Sequence, residues 1–236
     1  MQITNGLVIF DPGYEEGPCS AGSVLPSLPE ADRKAFHDAL FHDAVDRFHG
    51  FPGAVVTARF CEAGMMEALR ETWPSLHAEA DGHELVEARL SAAIEEQFEH
   101  GARRLLVLFP TAAAIPMRVI DAAFTLLDTF DDAVVIGPTE GGDTYAIGLR
   151  WSHPEIPAAF PGGSVHRLDR ILRCLSCIES TLHMLQSWYD LRTPADFARL
   201  AADLDADTSG YRSLRVWAAT HPSLFLSPQE SPGRKG

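Results

Sequence analysis

The amino-acid sequence predicts an α/β fold of three layers, a mainly parallel β-sheet flanked by helices, with one short antiparallel excursion. Three observations carry this expectation. Apolar runs recur along the chain, GLVIF at 6–10, AVVTARF at 54–60 and RLLVLF at 104–109. The first has the form of a strand buried on both faces, and the other two read as further strands. Segments with apolar residues at helical spacing separate them, which implies right-handed crossovers and parallel strands. The rhythm breaks once, over 133–150, where two apolar runs are joined by a Gly-rich turn too short for a crossover.

The run at 6–10 leads into a loop rich in Gly, Pro and acidic residues, 11–26. Ser27 and Glu30 have the spacing of a capping box, with Pro29 suited to a first helical turn. Phe36, Leu40, Phe41, Ala44, Val45 and Phe48 then mark one helix face, which ends at 49–53. The strand at 54–60 precedes a short helix bearing Met65, Met66 and Leu69. Residues 83–100 predict a strong helix, with Leu85, Leu90, Ile94 and Phe98 on its buried face and Gly101 at its end. After the strand at 104–109, Pro116 opens a helix with Val119, Ile120, Phe124 and Leu127 inside. Residues 133–136 form a strand stopped by Gly137 and Pro138, and 144–150 returns beside it. A helix over 164–176, a strand over 181–185, a helix opened by Pro194 with Phe197 and Leu200 inside, and a helix over 211–220 follow. We expect a single domain over 1–226 and a disordered tail over 227–236, rich in Ser, Pro and Gly.

The 46% hydrophobic and 22% charged content is that of a globular chain with a sizeable core. The 19 basic and 33 acidic residues give a formal charge of −14. That balance speaks for solubility and against a nucleic-acid surface or an anionic membrane surface. No apolar run approaches the ~20 residues that span a bilayer. No basic segment followed by an apolar one marks a secretory signal, so the expected location is the cytoplasm. The four cysteines, Cys19, Cys61, Cys174 and Cys177, do not make a disulfide framework. Cys174 and Cys177 have redox or zinc spacing, but they lie in an apolar helical pattern with Leu168, Ile171, Leu172 and Leu175, which favours packing. The chain contains no Gly-x-Ser-x-Gly, Walker or Gly-x-Gly-x-x-Gly motif.

Three segments together carry a resemblance: LVIF at 7–10, VIGPTEGGDTYAIGL at 135–149 and WYDLRTPADF at 188–197. In order and spacing, over about residues 6–204, the chain resembles the bacterial glycosyltransferase-like DUF2064 group. That group belongs to the nucleotide-diphospho-sugar transferase superfamily, which has a GT-A, Rossmann-like fold. The resemblance implies a nucleotide or nucleotide-sugar ligand and transfer of a sugar or nucleotidyl group from an activated donor. It implies Asp190 and Asp143 as catalytic and metal-holding residues, with Mg²⁺ or Mn²⁺ as the cofactor of an active enzyme. Gly137, Pro138, Gly141, Gly142 and Tyr145 are the implied substrate-binding residues, and Glu140 is a further metal candidate. Asp190 is equally suited to a turn or cap before the helix that starts at Pro194.

The sequence departs from the family pattern at four places, one of them the Gly-rich turn, where Gly141-Gly142-Asp143 stands for the family's Asp-Gly-Gly. The loop after the first strand, 11–20, lacks the Lys and Arg that would hold phosphates and carries Asp11, Glu15 and Glu16 instead. Thr111 stands where the family has a metal-binding Asp. Arg192 replaces an acidic residue and could bind a phosphate or carboxylate. These departures motivate the alternative of a catalytically inactive relative that binds a ligand or a protein partner.

Overall fold

The computed structural model describes residues 5–13, 25–61, 64–81, 85–110, 114–160, 167–207 and 210–225. Glu15, Glu16, Cys19, Thr111 and the tail over 227–236 lie outside them.

Seven strands form one sheet: β1 (Asn5–Phe10), β2 (Val55–Phe60), β3 (His77–Ala80), β4 (Arg104–Leu108), β5 (Ala133–Pro138), β6 (Thr144–Leu149) and β7 (Thr181–Met184). Their order is β3-β2-β1-β4-β6-β5-β7. All pairings are parallel except those of β6, which runs antiparallel to both β4 and β5. The α/β architecture and its antiparallel excursion are therefore as the sequence predicts. The helices are α1 (Glu30–Phe48), α2 (Gly64–Thr72), α3 (Val86–Glu99), α4 (Met117–Thr129), α5 (Arg167–Leu175), α6 (Pro194–Ala206) and α7 (Arg212–Thr220).

Strand alternation creates the layers. Leu7 and Ile9 of β1 join a core with Phe41, Val45, Ile120 and Phe124 of α1 and α4. Val8 and Phe10 point the other way, into a core with Leu90 and Ile94 of α3 and Ile171 of α5. Both faces of the central strands are thus covered, which is why they read as continuous apolar runs. A third cluster joins Phe36 and Leu40 of α1 to Tyr189, to Phe197 and Leu200 of α6, and to Leu214 and Trp217 of α7. It brings the C-terminal helices onto α1 and fixes the segment that follows β7.

Four local expectations are corrected. The N-cap of α1 is Pro29 with no side-chain cap bond, so Ser27 is not the cap of this helix; Ser27 belongs to a 3₁₀ turn, Leu25–Ser27. Leu85 is 69% exposed and is the N-cap of α3, outside its buried face. β5 runs through Gly137 and Pro138, with a register shift between them where the ladder to β6 bends. β3 was not expected, because an edge strand of sequence HAEA has no apolar run. Cys174 is half-buried on α5, whereas Cys177 is exposed beyond its end, and both are free thiols.

One long-range cap secures the third cluster. Asp43 of α1 accepts the backbone N–H groups of Ser213 and Leu214, both at 2.9 Å, in the first turn of α7. Burial pushes the Asp43 carboxyl up despite these two bonds. Loss of a cap of this type costs about 0.5–2 kcal/mol. Asp43→Ala is expected to lower the urea unfolding free energy by that amount, with near-UV signals from Trp217 changing first.

Candidate functional site

Because β1, β4, β5 and β7 are parallel, they end at one edge of the sheet, and antiparallel β6 begins there. Ligands of open α/β sheets bind outside that carboxyl edge. Here it gathers Asp11 after β1, the β5–β6 turn, and the residues after β7.

The β5–β6 turn meets the post-β7 segment through main-chain bonds. Trp188 N–H donates to the Pro138 carbonyl at 3.0 Å, and Glu140 N–H donates to the Trp188 carbonyl at 2.8 Å. This lays Asp190 against the turn. A Cβ on Gly141 would stand 2.2 Å from Asp190 Oδ2, so only glycine permits the approach. Gly142 has φ +82°, the left-handed region that glycine enters without steric cost.

Asp143 and Asp190 are brought into one cluster. Arg192 places Nε 2.6 Å from Asp190 Oδ2 and Nη2 4.0 Å from Asp143 Oδ2, so one guanidinium spans both carboxylates. Thr139 links them a second time: its hydroxyl accepts the Asp143 N–H at 2.9 Å and donates to Asp190 Oδ2 at 3.3 Å. Asp143 Oδ1 accepts the Thr144 N–H at 2.7 Å and has Arg167 Nε at 3.6 Å. Arg167 opens α5 and lies over the Phe160 ring, 4.7 Å from its centroid. Asp143 and Asp190 are each 7% exposed.

Asp190 is not the cap of α6. That role belongs to Thr193 and Asp196, which form a reciprocal capping box with Pro194 in the first turn. Asp196 also accepts the Arg192 N–H at 3.1 Å. The cap thus fixes the main chain from which Arg192 projects. Glu140 points outward and pairs with Arg199 at 2.7 Å, away from the carboxylate cluster. Tyr145 is fully buried; its ring packs where a Gly137 Cβ would be, and its hydroxyl donates to the Gln186 carbonyl at 2.9 Å. That placement gives Tyr145 a packing role and no surface for a ligand. Trp188 and Tyr189 stack on each other at 5.9 Å, and Tyr189 is buried in the third core cluster.

Mg²⁺ and Mn²⁺ take oxygen ligands in an open coordination sphere. Asp143 and Asp190 supply the right atoms, but Asp190 Oδ2 is already engaged by Arg192 and Thr139, Asp143 Oδ1 by Thr144, and the guanidiniums of Arg192 and Arg167 stand 4.0 Å and 3.6 Å from Asp143. Among the described residues, no three His, Cys, Asp or Glu side chains gather as a metal site. As arranged, the cluster does not fit a bound divalent ion.

A second charged group lies at the same edge under β1 and β2. Asp11 and His37 are both 3% exposed, and His37 Nε2 lies 2.9 Å from Asp11 Oδ1. Gly13 N–H donates to the same carboxylate at 2.7 Å. Burial opposes charge on both groups. The pairing outweighs it, holding the Asp11 carboxyl below its usual range and raising His37 to about 9. Arg89 Nη2 donates to the Asp11 main-chain carbonyl at 2.7 Å, and its guanidinium lies over the Phe10 ring. Asp81 joins Arg89 at 3.5 Å to Arg59 at 2.7 Å, and Arg59 also pairs with Glu79 and Glu96. Where the resemblance implies a basic phosphate loop, the described part of this loop is anchored inward by an acid.

Sequence reasoning singled out Asp143, Asp190 and Arg192 but missed Thr139, Arg167, His37 and Arg89. Thr139 lies inside the resembling segment and was legible as a hydroxyl beside the glycines. The other three carry no local pattern.

No protein-family model matches the chain, and no curated protein matches it. Solved structures do match. A protein from Desulfovibrio desulfuricans G20 assigned to the nucleotide-diphospho-sugar transferases superposes with a TM-score of 0.72 at 17% identity, covering 94% of this chain and 99% of the other. A cytidylyltransferase from Leptospira borgpetersenii serovar Hardjo-bovis gives 0.51 at 12% identity, over 98% and 99%. A CMP:2-keto-3-deoxy-manno-octonic acid synthetase complexed with CTP gives 0.50 at 14% identity, over 86% and 99%. With β6 reversed between β4 and β5 and a glycine turn at the carboxyl edge, the chain has the fold of the nucleotide-diphospho-sugar transferases and cytidylyltransferases.

Proposed function

We propose that the protein binds a nucleotide or nucleotide sugar at the carboxyl edge of its sheet. As a divergent relative of the DUF2064 group, it transfers the sugar or nucleotidyl group from that donor to an acceptor. The observation that carries this reading is the convergence of Asp143, Asp190 and Arg192 on the bare main chain of Gly141 and Gly142. Glycine leaves room for a sugar or base to lie against the backbone. The carboxylates can accept hydroxyl hydrogen bonds, and an arginine fork suits a phosphate. The fold shared with a CTP-bound synthetase supports the ligand class.

One observation favours a second reading, a family member that binds without catalysis. The first loop begins with Asp11 turned inward onto His37, which supplies no cation to a triphosphate.

Calorimetric titration of the purified protein with a panel of nucleotides and nucleotide sugars, with and without Mg²⁺ or Mn²⁺, tests the proposal. Binding is expected, and Gly141→Ala should weaken it about tenfold or more, because the added methyl group intrudes on Asp190 and on the ligand's path. Binding without turnover over an acceptor panel supports the second reading. No heat at millimolar ligand from folded protein rejects the donor site.

A further inference from the structure

We infer that Arg192 is a built-in cation: it holds the position between Asp143 and Asp190 that a divalent metal would take, so this edge works on anionic, phosphate-bearing ligands without a metal. The inference rests on the reading of this edge as the ligand site, and it deepens that reading.

The geometry supplies the argument. The Arg192 guanidinium reaches both carboxylates, at 2.6 Å and 4.0 Å, from a side chain that is 16% exposed. It is not a loose surface arginine swung inward. Its own N–H is tied to Asp196, and the next residue, Thr193, is the N-cap of α6, so main chain and fork are both fixed. Arg167 approaches the far side of Asp143 with a side chain that is 3% exposed. Two carboxylates therefore face two guanidiniums, and the cluster is electrically balanced.

A divalent ion entering this cluster must displace Arg192 from Asp190. That would strand a partly buried cation and bring excess positive charge beside Arg167. Breaking a buried ion pair in this way is strongly unfavourable. A tethered guanidinium differs from a metal in two chemical respects: it offers fixed N–H donors to phosphate oxygens, and it cannot polarise a bound water as a metal does.

The test uses Mn²⁺ alone, followed by electron paramagnetic resonance of the free ion, on the full chain. Wild-type protein is expected to show only weak binding that Asp190→Asn leaves unchanged, as expected of a surface with net charge −14. Arg192→Ala opens the position and should tighten one Mn²⁺ site about a hundredfold. Adding Asp190→Asn to that variant should abolish the gain. Arg192→Asp, which supplies a third carboxylate, serves if the alanine variant does not fold. Tight Mn²⁺ binding by the wild type that Asp190→Asn removes would overturn the inference. So would the lack of a gain in a folded Arg192 variant. These outcomes do not depend on nucleotide binding, so failure of the donor reading is distinguished from failure of this one. Where a nucleotide does bind, its affinity should be the same in EDTA as in Mg²⁺.

Discussion

Asp11→Ala is expected to destabilise the fold by about 3–5 kcal/mol at pH 7, the usual cost of removing one partner from a buried ion pair. His37 Nε2 lies 2.9 Å from the carboxylate, and both side chains are almost wholly enclosed. No water can replace the lost charge. The substitution also strips the Gly13 N–H of its acceptor and leaves a small void at the end of β1. His37 has one escape, loss of its proton, which limits the cost but leaves the ring's hydrogen bonding unmet. Chemical unfolding of the variant against wild type gives the number. A change below about 1 kcal/mol would mean that the pair contributes little beyond what solvent gives each group when unfolded.

A second large effect follows from the same pair and concerns pH. His37 is raised from an unperturbed 6.5 to about 9 in the folded protein, because the Asp11 charge and hydrogen bond, with a smaller contribution from Asp38, exceed the desolvation penalty. The folded state therefore binds the proton more tightly than the unfolded chain. The associated stability is fully present below pH ~6.5, declines as pH rises, and is gone above pH ~9; its size is about 3 kcal/mol. Lowering of the Asp11 carboxyl expresses the same contact and adds nothing further in this window. Unfolding measured from pH 6 to 9.5 should show this decline in wild type. His37→Gln should flatten it while lowering stability at pH 6. Equal slopes in the two proteins would assign the pH dependence to other groups.

The fold was legible where burial on two faces writes itself into composition. β1 and β4 are mostly apolar because helices cover both sides, whereas β2 is apolar on the face of Val56, Ala58 and Phe60 and carries Thr57 and Arg59 on the other. The reversal at β6 was legible for a different reason, since no crossover fits between residues 138 and 144. β3 was not legible: His77, Ala78, Glu79 and Ala80 pair with β2 at the sheet edge, where one neighbouring strand suffices and no apolar run is needed. The α1 cap failed for a physical reason too. Pro29, suited in sequence to the first turn, occupies the cap position itself, two residues later than the Ser27–Glu30 spacing requires.

The site divides along the same line. Asp143, the glycine turn and Asp190 lie in short segments whose order resembles a family, so local pattern found them. Arg167 and Thr139 matter through partners reached only on folding. The Asp11–His37 pair is the sharper case. Asp11 read only as an acid in a loop without Lys or Arg, and His37 is one of ten histidines in the sequence. Neither carries a mark of the other, because a loop after β1 and a face of α1 become neighbours only when the sheet is built.

The inward-facing arginines have a consequence for encounter in solution. Arg59, Arg89 and Arg167 are all buried, with carboxylates or carbonyls as company. Their charge is spent at short range and contributes little to what a dissolved molecule meets at a distance. The outer shell is dominated by the surplus of acid, so an approaching anion is repelled until it touches the edge. Salt shortens the reach of that repulsion to about 10 Å at 0.1 M. The approach to this protein is thus easier in a salty medium than in a dilute one, the reverse of the steering that basic clefts provide.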